Sequence, residues 1–325
     1  MRACLCNRIL IILNARCRRY GFINNRFMKA CWVFALYFAL LASVACDDDD
    51  ATHEFGPTDS SKPHLIVKFR FDKNQPRLNN IGQPAGVAPG NAALSPDFNA
   101  ISAHYFELVP NASTQLAQGA VLYHAPETTM GGSNAIDFSR SRVVAEGETF
   151  LRIPLQSIAP GSYEWVRVSL AYQNYNIAVR ANGVDYQGTL ASFVGYNTYI
   201  GTHEIGNSIF PVNANRLQGY WAFALADYPY STEGQAPAGA TTVPNPIAAT
   251  SPIPAGSCVV TGKFLNNLVI SGDETKDVVV TLSLSINQSF EWREVVADGK
   301  YEPGKGEAVV DMGLRGLIPS FRWVE

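Results

Sequence analysis

Residues 278–286 read Val278-Val279-Val280-Thr281-Leu282-Ser283-Leu284-Ser285-Ile286. Val278, Val280, Leu282, Leu284 and Ile286 alternate with Val279, Thr281, Ser283 and Ser285. Successive side chains of a strand point to opposite faces, so this period of two predicts a strand with one fully apolar face. The same period appears at 64–71, where Val67, Phe69 and Phe71 alternate with Lys68, Arg70 and the following Asp72. Residues 163–172 set Val166, Val168 and Leu170 on one face, with Trp165, Arg167 and Ser169 on the other. Asn182-Gly183 joins the runs 175–181 and 184–190. That dipeptide tolerates the positive φ angles of a type I′ turn and predicts a hairpin. Further strand-like runs lie at 101–109, 120–124, 150–153, 193–205, 220–226 and 258–270. The Asn/Gly/Pro-rich stretch 73–99 and the Pro/Ala/Thr-rich stretch 229–257 read as loops. After residue 46 no segment combines helical periodicity with helix caps. These signals predict an all-β fold: one antiparallel β-sandwich domain over 64–325, with long loops and little helix.

Composition agrees with a packed body. Hydrophobic residues make up 47% of the 325 residues and charged ones 16%, enough apolar surface to build a core. Charge is unevenly placed. The first 45 residues carry Arg2, Arg8, Arg16, Arg18, Arg19, Arg26 and Lys29 and no acid. The rest holds 18 basic against 28 acidic residues, a net charge of about −10. An acidic body excludes nucleic acid as the expected partner, because phosphate contacts need a basic surface.

Six of those seven basic residues precede Met28, and residues 28–46 carry a signal of their own. Met28-Lys29 gives a basic start, an apolar run without charge follows, and small residues lead to Cys46. This is the order of a secretory signal, and the run is shorter than the roughly 20 apolar residues of a spanning helix. Small residues before a cysteine resemble the lipobox of bacterial lipoproteins, with Ser43 where that motif usually has Leu. The resemblance implies lipidation of Cys46 and a partner in the membrane. The body then has a single cysteine, Cys258, and can hold no internal disulfide. Asp47-Asp48-Asp49-Asp50 resembles the acidic run that accompanies outer-membrane or cell-surface export in lipoproteins of Bacteroidetes. Residues 28–45 are therefore expected to be a signal peptide and 46–63 a lipid-anchored tether. Residues 1–27 are expected to be a gene-model mis-start upstream of Met28, the rival expectation being a long n-region of the signal.

Three segments are similar to the MbnP-like family, secreted β-sandwich proteins named for a partner of a copper chelator. They are Pro160-Gly161-Ser162-Tyr163-Glu164-Trp165-Val166-Arg167, Gln218-Gly219-Tyr220-Trp221-Ala222-Phe223, and residues 279–290. Their order and spacing match over about 64–292. Ala171-Tyr172-Gln173 stands where the family has Gly-Val-Asp, and no late His-rich segment is present, so no copper ligand is carried over.

The candidate sites are few. His203-Glu204 is a donor pair without the second His of a His-Glu-x-x-His zinc motif. The five histidines (53, 64, 104, 124 and 203) show no ligand spacing, although a site assembled in space stays open. Asp298 and Glu302, with Glu294 and Glu307, are weighed as a calcium loop against a polar hairpin turn; Val296 and Lys305 occupy positions where a calcium loop wants oxygen. Trp165, Tyr172, Tyr220 and Trp221 are weighed as a stacking platform for a glycan or partner protein against core packing. No Gly-x-Ser-x-Gly elbow and no Gly-rich phosphate loop appears, and no catalytic residue is assigned. The expectation is a non-catalytic binding lipoprotein of the outer membrane or cell surface. No cofactor is expected, with Ca or Cu as the weaker alternative; the alternative functions are a copper-binding MbnP-like protein and a surface glycan hydrolase with two carboxylates in a cleft.

Overall fold

The computed structural model describes residues 62–78, 83–236 and 257–324. The leader, Cys46, the tether up to residue 61 and the stretch 237–256 lie outside the described residues. The described chain is all-β, with 3₁₀ turns of three residues and no α-helix. Among the described residues no helix is long and apolar enough to cross a membrane.

The alternating stretch forms β15 (Val278–Ser285) at the centre of a four-stranded sheet, with β18 (Arg315–Trp323) on one side and β1 (His64–Asp72), then β7 (Thr149–Pro154), on the other. β15 and β18 are antiparallel, but β1 and β15 run parallel, Leu65 opposite Val278 through Asp72 opposite Ser285. β6 (Ala135–Asp137) likewise pairs parallel with β10 (Asn197–Ile205), while the other strand pairings among the described residues are antiparallel, as an antiparallel β-sandwich requires. β18 escaped the sequence reading because Pro319 and Gly316 interrupt it. Proline lacks a ladder donor and is tolerated on this sheet edge.

The largest sheet is built on β8 (Gly161–Ala181). β3 (Asp97–Val109) runs along one side of β8, and β4 (Ala120–His124) pairs beyond it. On the other side, β14 (Cys258–Ile270) pairs the first half of β8 and β9 (Val184–Phe193) the second. β12 (Tyr220–Leu225) and β13 (Ser231–Gln235) extend the second half. β13 places a strand at the start of the stretch expected to be loop. The Asn182-Gly183 turn has φ of 51° and 78°, as the hairpin signal requires.

Two bulges divide β8. Ser102 faces Tyr172 and Ala103 faces Leu170, so Ala171 is an extra residue in β8; Ala103 faces Leu170 and Tyr105 faces Ser169, so His104 is an extra residue in β3. One extra residue flips the side chains that follow to the opposite face. Before the bulge Val166, Val168 and Leu170 pack with β1 and β15; after it Tyr175, Ile177 and Val179 take over that side, and Tyr172 turns to the other. Phe98 bridges the halves by stacking between Phe71 and Tyr175.

The halves have different covers. The first packs on the β1/β15 sheet in a closed core that includes Phe106, Leu282 and Phe264. The second is covered on one side by β10 and β11 (Ser208–Leu217), and on the other by a three-stranded sheet of β2 (Asn91–Leu94), β16 (Phe290–Arg293) and β17 (Val309–Met312). β2 lies within the stretch 73–99 expected to be loop. Arg77 pins this small sheet: its guanidinium donates to Glu291 at 2.6 Å and lies 3.6 Å from Asp311, all three nearly buried. Burial pushes the Glu291 carboxyl up, but hydrogen bonds from Asn91, Arg77 and the Ala88 amide outweigh it and hold the group below the usual range.

Candidate functional sites

Where the small sheet covers the second half of β8, the two surfaces do not close. A cleft of about 940 Å³ lies between them. Ile177, Val179, Leu190, Trp221 and Phe223 form one wall; Phe290, Met312, Val309 and Tyr301 form the other. Two glycines shape the first wall. A Cβ on Gly234 would lie 2.7 Å from the Trp221 ring, and one on Gly188 would lie 2.2 Å from Phe223. Both rings therefore lie along the sheet over bare backbone, which keeps the floor broad. Tyr186 and Tyr228 meet edge to face at 5.1 Å, and Tyr228 and Tyr230 are more than half exposed at the mouth. Among the described lining residues no Lys, Arg or His occurs. The one carboxylate, Glu307, is already engaged: it accepts from the amides of Val295 and Val296 at 3.1 Å and of Glu302 at 2.6 Å.

A polar cluster sits beside the bulges. The extra residue His104 is fully buried, and its carbonyl accepts from the Ala125 amide at 2.7 Å. The β3–β4 pairing sets Tyr105 opposite His124 and so brings two histidines 20 positions apart in sequence to 4.4 Å between ring centres. Glu127, in β5 (Glu127–Thr128), completes the group: Glu127 Oε1 lies 3.0 Å from His104 Nε2 and 3.9 Å from His124 Nε2. Asn134 donates to Glu127 Oε2 at 2.5 Å and the Tyr196 hydroxyl to Oε1 at 2.9 Å. Burial pushes the Glu127 carboxyl up, but the hydrogen bonds from His104, Asn134 and Tyr196 prevail and hold it at about 2. Burial lowers His104, against the raising effect of Glu127. At neutral pH the pair is thus a carboxylate and a neutral imidazole that donates from Nε2.

The residues singled out in the sequence fall elsewhere. His203 is buried among Phe138, Tyr172 and Phe193, with ring centres 5.3–5.8 Å away, while Glu204 is exposed on the other face of β10; the two do not converge. Burial lowers His203 to about 4. Asp298 binds the Lys300 amide at 3.0 Å and lies 3.4 Å from Arg180, and Glu294 accepts from the Gly299 amide. Glu302 is buried and gives its amide to Glu307. The carboxylates of Glu294, Asp298 and Glu307 thus accept from amides of this loop's own backbone. Tyr172 and Tyr220 are core residues, and Trp165 lies under Lys263 with its ring centre 5.7 Å from the ammonium. Of the four expected platform aromatics only Trp221 faces the cleft. His64 is buried beside Arg152 and Asp277, and His53 lies outside the described residues.

No family model, curated protein or solved structure matches the chain.

Proposed function

We propose that this chain is an exported, lipid-anchored, non-catalytic binding protein that carries a neutral, mostly apolar small molecule in the cleft over β8. The cleft has the volume of a small-molecule pocket, apolar walls and a few hydroxyls at its mouth. The absence of any cation among its described lining residues is the observation that selects the ligand class. A fatty-acid or phosphate headgroup would lose its hydration there and gain no partner charge, which is costly. A glycan would leave many hydroxyls facing aliphatic side chains. A two-carboxylate hydrolase is disfavoured because Glu307 stands alone on the lining and is spent on three amides.

The address rests on the sequence: the signal-like order of 28–46, the cysteine that ends it and the acidic run after it support anchoring at the outer membrane or cell surface. The likeness of three segments to MbnP-like proteins supports an extracytoplasmic β-sandwich. Two measurements test the reading. Organic extraction of protein purified from its own cells should release a neutral apolar compound at about one per chain; none, or a charged one, contradicts it. Metabolic labelling with a palmitate analogue should tag the native chain and not Cys46→Ala; equal tagging removes the anchor.

A further inference from the structure

We infer that His104, His124 and Glu127 form a binding site for a divalent transition cation of the zinc class, separate from the cleft. One donor atom from each residue lies within 4.8 Å of the other two, and a tetrahedral zinc-class ion with bonds of about 2.0–2.2 Å would draw these donors in to roughly 3.4 Å from one another. Two imidazoles and one carboxylate are a donor set that suits zinc-class ions, whereas Ca²⁺ and Mg²⁺ want oxygen throughout. Three protein donors leave a tetrahedral ion one position for water, and the partly exposed side chain of His124 gives the cluster its solvent-facing side.

The surroundings fit ligands rather than a simple internal hydrogen bond. His124 Nδ1 lies 3.2 Å from the Ala125 carbonyl. That contact places the proton on Nδ1 and leaves the Nε2 lone pair turned towards Glu127. Asn134 and Tyr196 hold both carboxylate oxygens, which is how outer groups fix a metal-binding acid. His104 Nδ1 is buried with no hydrogen-bond partner among the described residues. Metal on Nε2 would move the ring proton to Nδ1 without changing the charge of the imidazole, and that N–H would then need a water as acceptor. The backbone bulge fixes His104 so that the donors meet without a large rearrangement.

The experiment is calorimetric titration of the untagged, chelator-stripped protein with Zn²⁺, with Ca²⁺ as control, and the Co²⁺ absorption spectrum as a second readout. The inference expects one Zn²⁺ per chain, no Ca²⁺ at the same concentration, and the visible bands of low-coordinate Co²⁺. His124→Ala, chosen because that ring is partly exposed and its loss spares the core, should cut Zn²⁺ affinity at least tenfold and abolish the Co²⁺ bands. Tyr196→Phe should weaken binding less. Absence of binding overturns the site, as does unchanged affinity in His124→Ala, which would place the ion elsewhere, for instance on the Asp47–Asp50 run. Because the cluster and the cleft are distinct, ligand recovery from His124→Ala should equal that from the native chain.

Discussion

The two halves of β8 carry similar side chains yet build different things. Val166, Val168 and Leu170 meet the β1/β15 sheet in a closed core, while Tyr175, Ile177 and Val179 face a smaller sheet that leaves a cleft. Apolar alternation decides which residues leave water; the size and reach of the opposing sheet decide whether the space closes. The bulges at His104 and Ala171 mark the change, and the His–His–Glu cluster sits at that seam.

Sharp tests of this contrast follow in order of expected effect. Arg77→Met leaves Glu291 buried beside Asp311 without its cation and should cost about 3–5 kcal/mol in urea unfolding, the usual penalty for breaking a buried pair. Loss of the small sheet before the β1/β15 core, seen by hydrogen exchange, would sharpen the contrast; simultaneous loss would blunt it. Next, the same substitution is placed on each half. Val168→Trp overpacks the closed core and should cost about 3 kcal/mol, whereas Val179→Trp extends into the cleft and should cost under about 1 kcal/mol. Equal costs would deny that the second half is open.

Acid offers a third test. The folded pKa of His203, about 4, lies below the ordinary 6.5, so above 6.5 its burial is unopposed by protonation. As pH falls from 6.5 towards 4 the unfolded chain takes up a proton the folded one refuses, and stability should drop by about 2–3 kcal/mol. His203→Phe should flatten that part of the pH–stability curve; an unchanged slope would assign the acid sensitivity elsewhere. The smallest effect is Gly234→Ala, which should push the Trp221 ring off the strand at a cost below about 1 kcal/mol while shifting its fluorescence.

How much of this was legible in the sequence depends on the range of the interaction. The 278–286 alternation and the Asn182-Gly183 hairpin are local signals, and both gave strands where expected. The parallel join of β1 to β15 spans more than 200 residues and has no local mark. β2 and β18 were hidden by loop-like composition and by Pro319, which an edge strand can carry. The paired histidines have no ligand spacing along the chain, and only the pairing of two strands brings them together. A usable signal was present: His104 and His124 lie in two runs, 101–109 and 120–124, whose antiparallel pairing brings them together, with Glu127 three residues on. The cleft had no sequence signature, because a gap between sheets is a property of their relative sizes.

The central claim is that the second half of β8 holds a neutral apolar ligand, and titration with Nile red, an uncharged fluorophore, tests it most directly. Saturable, blue-shifted binding at one dye per chain, lost in Val179→Trp while the melting temperature stays within a few degrees, is the result expected. Saturable binding that survives Val179→Trp unchanged, or none in the native chain, would contradict it.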